Sequence, residues 1–231
     1  TKDGLYTQGV YGFISMLQKI RREYEPTHML IAFDKKGPTF RHEEYEGYKE
    51  GRAKMPPELA MQIPVLKEVI DAMGIRRYEL DGYEADDIIG STAKMAEAEG
   101  LPAFIITGDR DALQLATDST SVVITVKGIS QFKLYDDAAM FEEYGFDHNL
   151  FIDYKGLAGD SSDKIPGIPG VGDVTARKLI KEFGSLEDII ANSEKIESKS
   201  VRKRVEEGAQ LGIMSKRLAT IVTNLPVEYS V

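Results

Sequence analysis

The chain has no cysteine, no tryptophan and only three histidines in 231 residues. The first absence excludes disulfides and thiolate metal sites, and fits a reducing compartment. His28, His42 and His148 are scattered, with no second ligand at a metal-binding spacing, so an imidazole metal site is not expected. No apolar run approaches the roughly 18 residues that a membrane helix needs. Basic residues are also short: 29 Lys and Arg against 38 Asp and Glu leave a net charge of −9, which taken alone argues against nucleic acid as a partner. Either the acids serve solubility, or many of them gather in one site and the basic residues lie elsewhere. With 42% hydrophobic and 29% charged residues, the chain otherwise reads as an ordinary globular protein long enough for a full core.

Hydrophobic periodicity organises the first two thirds. Val10, Phe13, Ile14, Leu17 and Ile20 share one face of a helix within residues 5–24. "HMLIAFD" (28–34) is a buried strand ending in an acid, and "IRRYEL" is another after a helix over 60–73 that Gly74 stops. "YEADDIIGSTAKMAEAEG" predicts a helix, "PAFIITGD" a strand running into acids, and "SVVITV" and "QFKLY" two more strands around "KGIS", which suit a hairpin. Between the first two strands, residues 35–59 are charged and dotted with aromatics, without a clean period. This alternation predicts an α/β fold with a largely parallel twisted sheet and helices on both faces. After residue 150 the chain turns to short helices joined by Gly/Pro turns. The expected division is 1–150 and 151–231.

In parallel α/β sheets ligands gather outside the carboxyl ends of the strands. The acids fall there. Asp34 closes the first strand, and Asp109 and Asp111 follow "PAFIIT" at a spacing that points both the same way in extended chain. Glu84, Asp86 and Asp87 head a helix, and Asp160 and Asp163 repeat the three-residue spacing of Glu84 and Asp87. One acid at a helix start is usually a cap. Eight that converge cannot all stay ionised without cations. Carboxylates without His or Cys select hard divalent ions, Mg²⁺ or Mn²⁺, and a site with room for two such ions suits phosphodiester hydrolysis.

Directly after Asp160 and Asp163 comes "KIPGIPGVGDVTARKLI". Gly167, Gly170 and Gly172 let backbone approach a ligand, Pro166 and Pro169 stiffen the turn, and the helix start that follows binds phosphate without side-chain charge. Arg177 and Lys178 follow on that helix. The pattern is that of a helix-hairpin-helix gripping a nucleic-acid backbone, or of a plain turn between two helices. On the first reading, hairpin and acids cooperate, and cations remove the repulsion between carboxylates and phosphate.

These stretches, together with "AFDKKGPTFRHEEYEGYK", "DGYEADDIIG", "ITGDRDALQL", "KGISQFKLYD" and "IDYKGLAGDSSD", resemble in order the 5′-nuclease domain of bacterial DNA polymerase I, within the flap-endonuclease superfamily. The resemblance spans nearly the whole chain. It implies a PIN-like nuclease core with a helical arch or clamp at about 38–57, and a small helix-hairpin-helix subdomain. It also implies that the eight acids are metal ligands, with Glu84, Asp86 and Asp109 nearer one ion and Asp111, Asp160 and Asp163 nearer the other. Lys49 and Arg52 would act at the scissile phosphate, with Arg41 and Lys54 on neighbouring phosphates and Tyr45 and Tyr48 stacking on bases. The hairpin would hold duplex with a bound K⁺. Substrates would be 5′ flaps, nicks and RNA-primed ends of duplex DNA, in the bacterial cytoplasm at the nucleoid; a polymerase domain C-terminal in the same polypeptide is one candidate partner, which the sequence itself leaves open.

Two departures carry expectations. The family opens with a strand ending in a further metal-binding Asp, so roughly 20–30 more residues upstream of residue 1, including an apolar strand ending in Asp, are expected by typical element lengths. Where the family has Asn after the second acid of "GDSSD", this chain has Lys164, whose charge would oppose an ion nearby. Two other readings fit part of the pattern: a non-catalytic DNA-junction-binding module of the same fold, and a Mg²⁺-dependent phosphohydrolase of small molecules, which would leave the hairpin unexplained.

Overall fold

The computed structural model describes residues 4–127 and 131–228. Helix α1 (Gln8–Tyr24) buries Leu17 against Leu66, Ile70 and Ile75, with Val10, Phe13 and Ile14 packed alongside. It ends where Glu25 takes a left-handed φ of 44°, with Arg21 and Arg22 facing the negative end of the helix. Strand β1 (Leu30–Ala32) is followed by α2 (Phe40–Glu44), α3 (Pro57–Ala60) and α4 (Gln62–Ala72). β2 (Arg76–Tyr78) returns parallel to β1, with Leu30 opposite Arg76. The stretch expected as a helical arch is therefore one five-residue helix followed by turns and exposed extended chain up to α3.

Helix α5 (Ala85–Ala98) leads to β3 (Ala103–Thr107), a 3₁₀ segment (Arg110–Leu115), β4 (Thr120–Lys127) and β5 (Gln131–Tyr135). β3 and β4 are parallel, and β4 and β5 antiparallel. Residues 128–130, where the turn of the expected hairpin falls, lie outside the described residues. The single largely parallel sheet of the sequence reading is thus two small sheets in a mixed α/β fold. Among the described residues no ladder joins β1 to β3. Helix α5 bridges them by packing on both.

Helices α6 (Asp137–Tyr144), α7 (Phe151–Ala158), α8 (Asp173–Phe183), α9 (Leu186–Ala191) and α10 (Lys199–Ala219) complete the fold. The main core runs unbroken from β3 and β4 through Phe151 and Leu157 to Ile168, Leu179, Ile189 and Val205, so the helical part shares the core of the sheet. After α10 the chain runs extended along α5 and buries Ile221, Leu225 and Val227. That run is held largely by side chains. Val222 N donates to Asp87 Oδ1 (2.9 Å), Leu225 N to Ser91 Oγ (3.0 Å) and Ile221 N to Gln114 Oε1 (2.9 Å). Among the described residues no helix is long and apolar enough to cross a membrane.

Candidate functional site

The acids sit where strands end and helices begin, because an acid there caps free amides. Asp34, two residues beyond β1, accepts from the amide of Ala85 at 2.8 Å, which ties that strand end to the start of α5. Glu84 is the N-cap of α5 in a reciprocal capping box with Asp87. Asp109 caps the 3₁₀ segment by accepting from Asp111 N at 2.9 Å. Asp160 accepts from the amide and hydroxyl of Ser162 at 2.7 and 2.6 Å, in a turn closed by paired 2.8 Å backbone bonds between Asp160 and Ile165.

These segments meet. Burial, first, and then the charges of Asp109, Asp34, Glu84 and Asp111 push the Asp86 carboxyl up to about 7. Burial also raises Asp111, to about 6, with Lys155 opposing and Asp109 and Asp160 adding to the rise. Lys155, on α7, lies 2.6 Å from Asp111 Oδ1 and pairs with Asp160. Burial of Asp160 alone would raise its pKa, but Lys155 and Ser162 outweigh it and hold the group at about 2. Lys49 contacts Glu84 Oε1 at 2.8 Å and Asp163 Oδ2 at 3.5 Å, and Arg52 lies 3.7 Å from Asp163. Two ammonium groups therefore stand among seven carboxylates. Lys49 reaches them from a left-handed residue (φ 54°) whose amide donates to Asp163 O at 2.9 Å, so the loop after α2 docks on the Asp160–Ile165 turn.

Four expected ligands of DNA or metal have other places. Arg41 is 3% exposed, not on the surface awaiting phosphate. Its guanidinium forks onto Asp87 with two 2.8 Å bonds and donates to the carbonyls of Leu218 and Thr220. Asp87 is fully buried and also accepts from Glu84 N and Val222 N, so its oxygens are filled and it holds the fold where the sequence reading made it a metal ligand. Tyr48 is buried with its hydroxyl at 3.0 Å from Glu84 and 3.2 Å from Asp163; it positions those acids and has no face free for a base. Arg177 is engaged by Asp173 (2.7 Å) and the carbonyl of Glu143 (3.0 Å), and stacks 4.4 Å above the Tyr144 ring. Tyr45 is partly buried against Tyr48, Ile165 and Leu218, whereas Arg52, Lys54 and Lys178 are exposed. Lys49 and Tyr48 join Glu84 to Asp163, while the charges of Asp109 and Asp34 act on Asp86. Lys155 was not singled out from sequence. Its only signal was a lone lysine on a short helix just ahead of "GDSSD".

The hairpin places its amides in two groups. Those of Gly167, Ile168 and Val171 are used internally, by Ser215 Oγ, Leu157 O and Ile168 O. Those of Gly170 and Gly172 donate to nothing among the described residues, at the start of α8. A Cβ on Gly167 would lie 2.3 Å from Gly159 N, whereas one on Gly172 would meet nothing within 4 Å. Lys178 and Lys181 line a shallow groove beside that helix start.

The donor set fits a hard divalent cation. It is all carboxylate oxygen, burial and neighbouring charge push Asp86 up to about 7 and Asp111 up to about 6, and Asp111 Oδ1 is buried with the Lys155 ammonium beside it. Among the described residues no three acids already close on one point as a metal cage.

An α/β unit with acids at its strand ends and a glycine hairpin on a shared helical core defines a class, and comparison with known proteins gives it a family. The chain belongs to the 5′-3′ exonuclease family: the N-terminal resolvase-like domain matches residues 1–145 and the C-terminal SAM fold residues 146–231. It is 49% identical over 228 residues to DNA polymerase I of Bacillus subtilis (strain 168), covering 99% of this chain and 26% of that protein. To DNA polymerase I of Geobacillus stearothermophilus it is 46% identical over 225 residues, covering 97% and 26%. The chain thus spans about a quarter of the length of these relatives. In fold it is similar to T5 5′-exonuclease with bound zinc (TM-score 0.80, 22% identity, 96% of this chain and 84% of that one). It is also similar to the catalytic core of Rad2 with DNA substrate (TM-score 0.57, 20% identity, 96% and 75%).

Proposed function

We propose that this chain is a divalent-metal-dependent 5′ nuclease that hydrolyses phosphodiesters at 5′ flaps, nicks and RNA-primer ends of duplex DNA. The observation that carries the reading is the meeting of Asp34, Glu84, Asp86, Asp109, Asp111, Asp160 and Asp163 around Lys49 and Lys155, in the same fold as a hairpin with two free amides. Asp86, Asp109, Asp34 and Asp111 would hold one or two Mg²⁺ or Mn²⁺ ions, with Glu84, Asp160 and Asp163 beside them. Such ions supply an activated water and neutralise charge at the leaving oxygen. The chain's own residues do the rest. Lys49 and Arg52 hold positive charge beside Asp163, where a phosphate would approach. The amides of Gly170 and Gly172, with Lys178, grip duplex backbone, and a K⁺ ion at the hairpin belongs to this reading. Residues 1–150, with the clamp at 38–57, cut, and 151–231 hold the duplex. The protein would act in the bacterial cytoplasm at the nucleoid, in the same polypeptide as a polymerase region, as its relatives suggest.

The test is cleavage of a labelled 5′-flap duplex with Mg²⁺, with Mn²⁺ and with EDTA, beside gel shifts in Ca²⁺. Ion-dependent cutting supports the reading. Tight binding without cutting under any ion would favour the second reading, a junction-binding module, which the compensation of the acids by Lys49 and Lys155 already supports.

A further inference from the structure

Arg110 lies between Asp109 and Asp111, yet its side chain turns away from both. It donates to the hydroxyls of Tyr144 (2.9 Å) and Tyr135 (3.1 Å) and pairs with Glu143. Tyr144, 6% exposed, carries Arg177 over its ring face at 4.4 Å. Arg177 continues to Asp173, the first residue of α8 after Gly172, and Tyr154 on α7 donates to the same Asp173 oxygen at 2.7 Å. The residue after Tyr154 is Lys155, which holds Asp111 and Asp160. Two routes of polar and stacking contacts therefore run from the acids to the start of the hairpin helix. One goes through Arg110, Tyr144 and Arg177, and the other through the two neighbouring residues of α7.

We propose that Tyr144 and Arg177 are positioning residues that fix the distance between the acid cluster and the duplex-gripping hairpin, and so set the nucleotide at which cleavage falls. The inference rests on the nuclease reading above. A duplex held at the hairpin presents one phosphodiester to the acids only if the two sites keep a fixed spacing, and a 1 Å error at a reacting centre can cost roughly a hundredfold in rate. Burial and aromatic packing against Phe146 and Phe151 make Tyr144 a rigid spacer, and the planar Arg177 locks its two neighbours at once. The arrangement explains why the partly exposed Arg177, although basic and on the hairpin helix, is engaged by Asp173, Glu143 and Tyr144 while Lys178 is exposed.

The experiment maps cleavage at nucleotide resolution on one 5′-flap duplex in Mg²⁺. Arg177→Ala and Tyr144→Leu are expected to change the ratio of neighbouring products by roughly tenfold, as expected for a sub-ångström to 1 Å misplacement. Arg177→Lys is expected to restore the ratio in part. Lys178→Ala, which removes only an exposed charge, should weaken binding and leave the cut position unchanged. A uniform loss of rate in Arg177→Ala with the parental product ratio would overturn the proposal. Because the chain has no native cysteine, spin labels at Val126→Cys, exposed on β4 beside the end of β3 that leads into the acids, and at Val174→Cys, exposed in the first turn of α8, read the spacing without activity. Arg177→Ala and Tyr144→Leu should broaden a narrow distance distribution, and an unchanged distribution overturns the proposal by itself. If the parent protein cuts nothing under Mg²⁺ or Mn²⁺, the nuclease reading fails, and the distance measurement still decides whether the two sites are locked together.

Discussion

At Asp87 the carboxylate receives the Arg41 fork and two amides, while at Asp86, one residue earlier, other carboxylates crowd the group. Neutralising each should have opposite effects. Asp87→Asn strips the partner from a buried guanidinium and is expected to destabilise by about 3–5 kcal/mol, the usual cost of breaking a buried pair. Asp86→Asn relieves repulsion and should stabilise the metal-free protein by about 1 kcal/mol, or roughly 2–4 °C in Tm at this size, while abolishing hydrolysis. Thermal melts in EDTA beside flap cleavage in Mg²⁺ check both. Lys164 is a second case where backbone decides. It is exposed and left-handed at φ 59°, a region in which Asn is several-fold enriched. Asparagine in the family therefore suits the turn, whatever lies near its side chain. Lys164→Asn should raise stability by about 0.5 kcal/mol, consistent with that enrichment, and leave the Mg²⁺ titration of activity where it was. A titration moved to lower Mg²⁺ would restore an electrostatic role for Lys164.

Among the elements, the hairpin sorts its glycines by who needs the space. Gly167, left-handed at φ 63°, is jammed against the backbone of residues 157–159, so Gly167→Ala should prevent stable folding. Gly172 faces open space at φ −96°, so Gly172→Ala should keep its Tm and weaken duplex binding if DNA is what approaches there. Lys178→Ala should lower the salt slope of binding by roughly one unit, one lost phosphate contact. On α6, burial of Glu143 opposes ionisation, but Lys133 and Tyr135, and then Arg110, hold its carboxyl at about 2, below its ordinary 4.5. A folded pKa below the unfolded one means that the unfolded chain binds more protons in between. The contribution is therefore complete above about pH 4.5 and fades as pH falls toward about 2. Glu143→Gln should flatten the acid limb of stability over that window, measured by urea melts at stepped pH.

The elements were largely legible because their signals are local. The period of α1, the stop at Gly74 and the acids at strand ends all follow from spacing and caps. Side-chain surroundings were not legible where a partner came from far along the chain. Arg41 and Asp87 are 46 residues apart, and Arg41 reaches a carbonyl 177 residues away, which no local pattern encodes. A basic, aromatic-rich stretch therefore read as surface although its Arg41 and Tyr48 are buried.

For the whole molecule, a share of the net charge of −9 is gathered in one place, where seven carboxylates meet around Lys49 and Lys155 and crowd Asp86. Divalent ions should therefore stabilise the fold as well as permit hydrolysis. At Mg²⁺ about a hundredfold above its dissociation constant the gain should approach about 2.7 kcal/mol, and Asp86→Asn should shrink it; calorimetry with Mg²⁺ against EDTA measures this. The run of residues 220–228 has a mechanical consequence. It is a tether made fast along α5 and its surroundings, at Tyr78, Ser91, Asp87, Gln114 and Arg41. Tension drawn along residue 228 would load Tyr78 and Ser91 first, then the Asp87–Arg41 pair that anchors the start of α5. A pull at that end of the fold would be felt at Glu84 and Asp86 before it reached the acids beside Lys155.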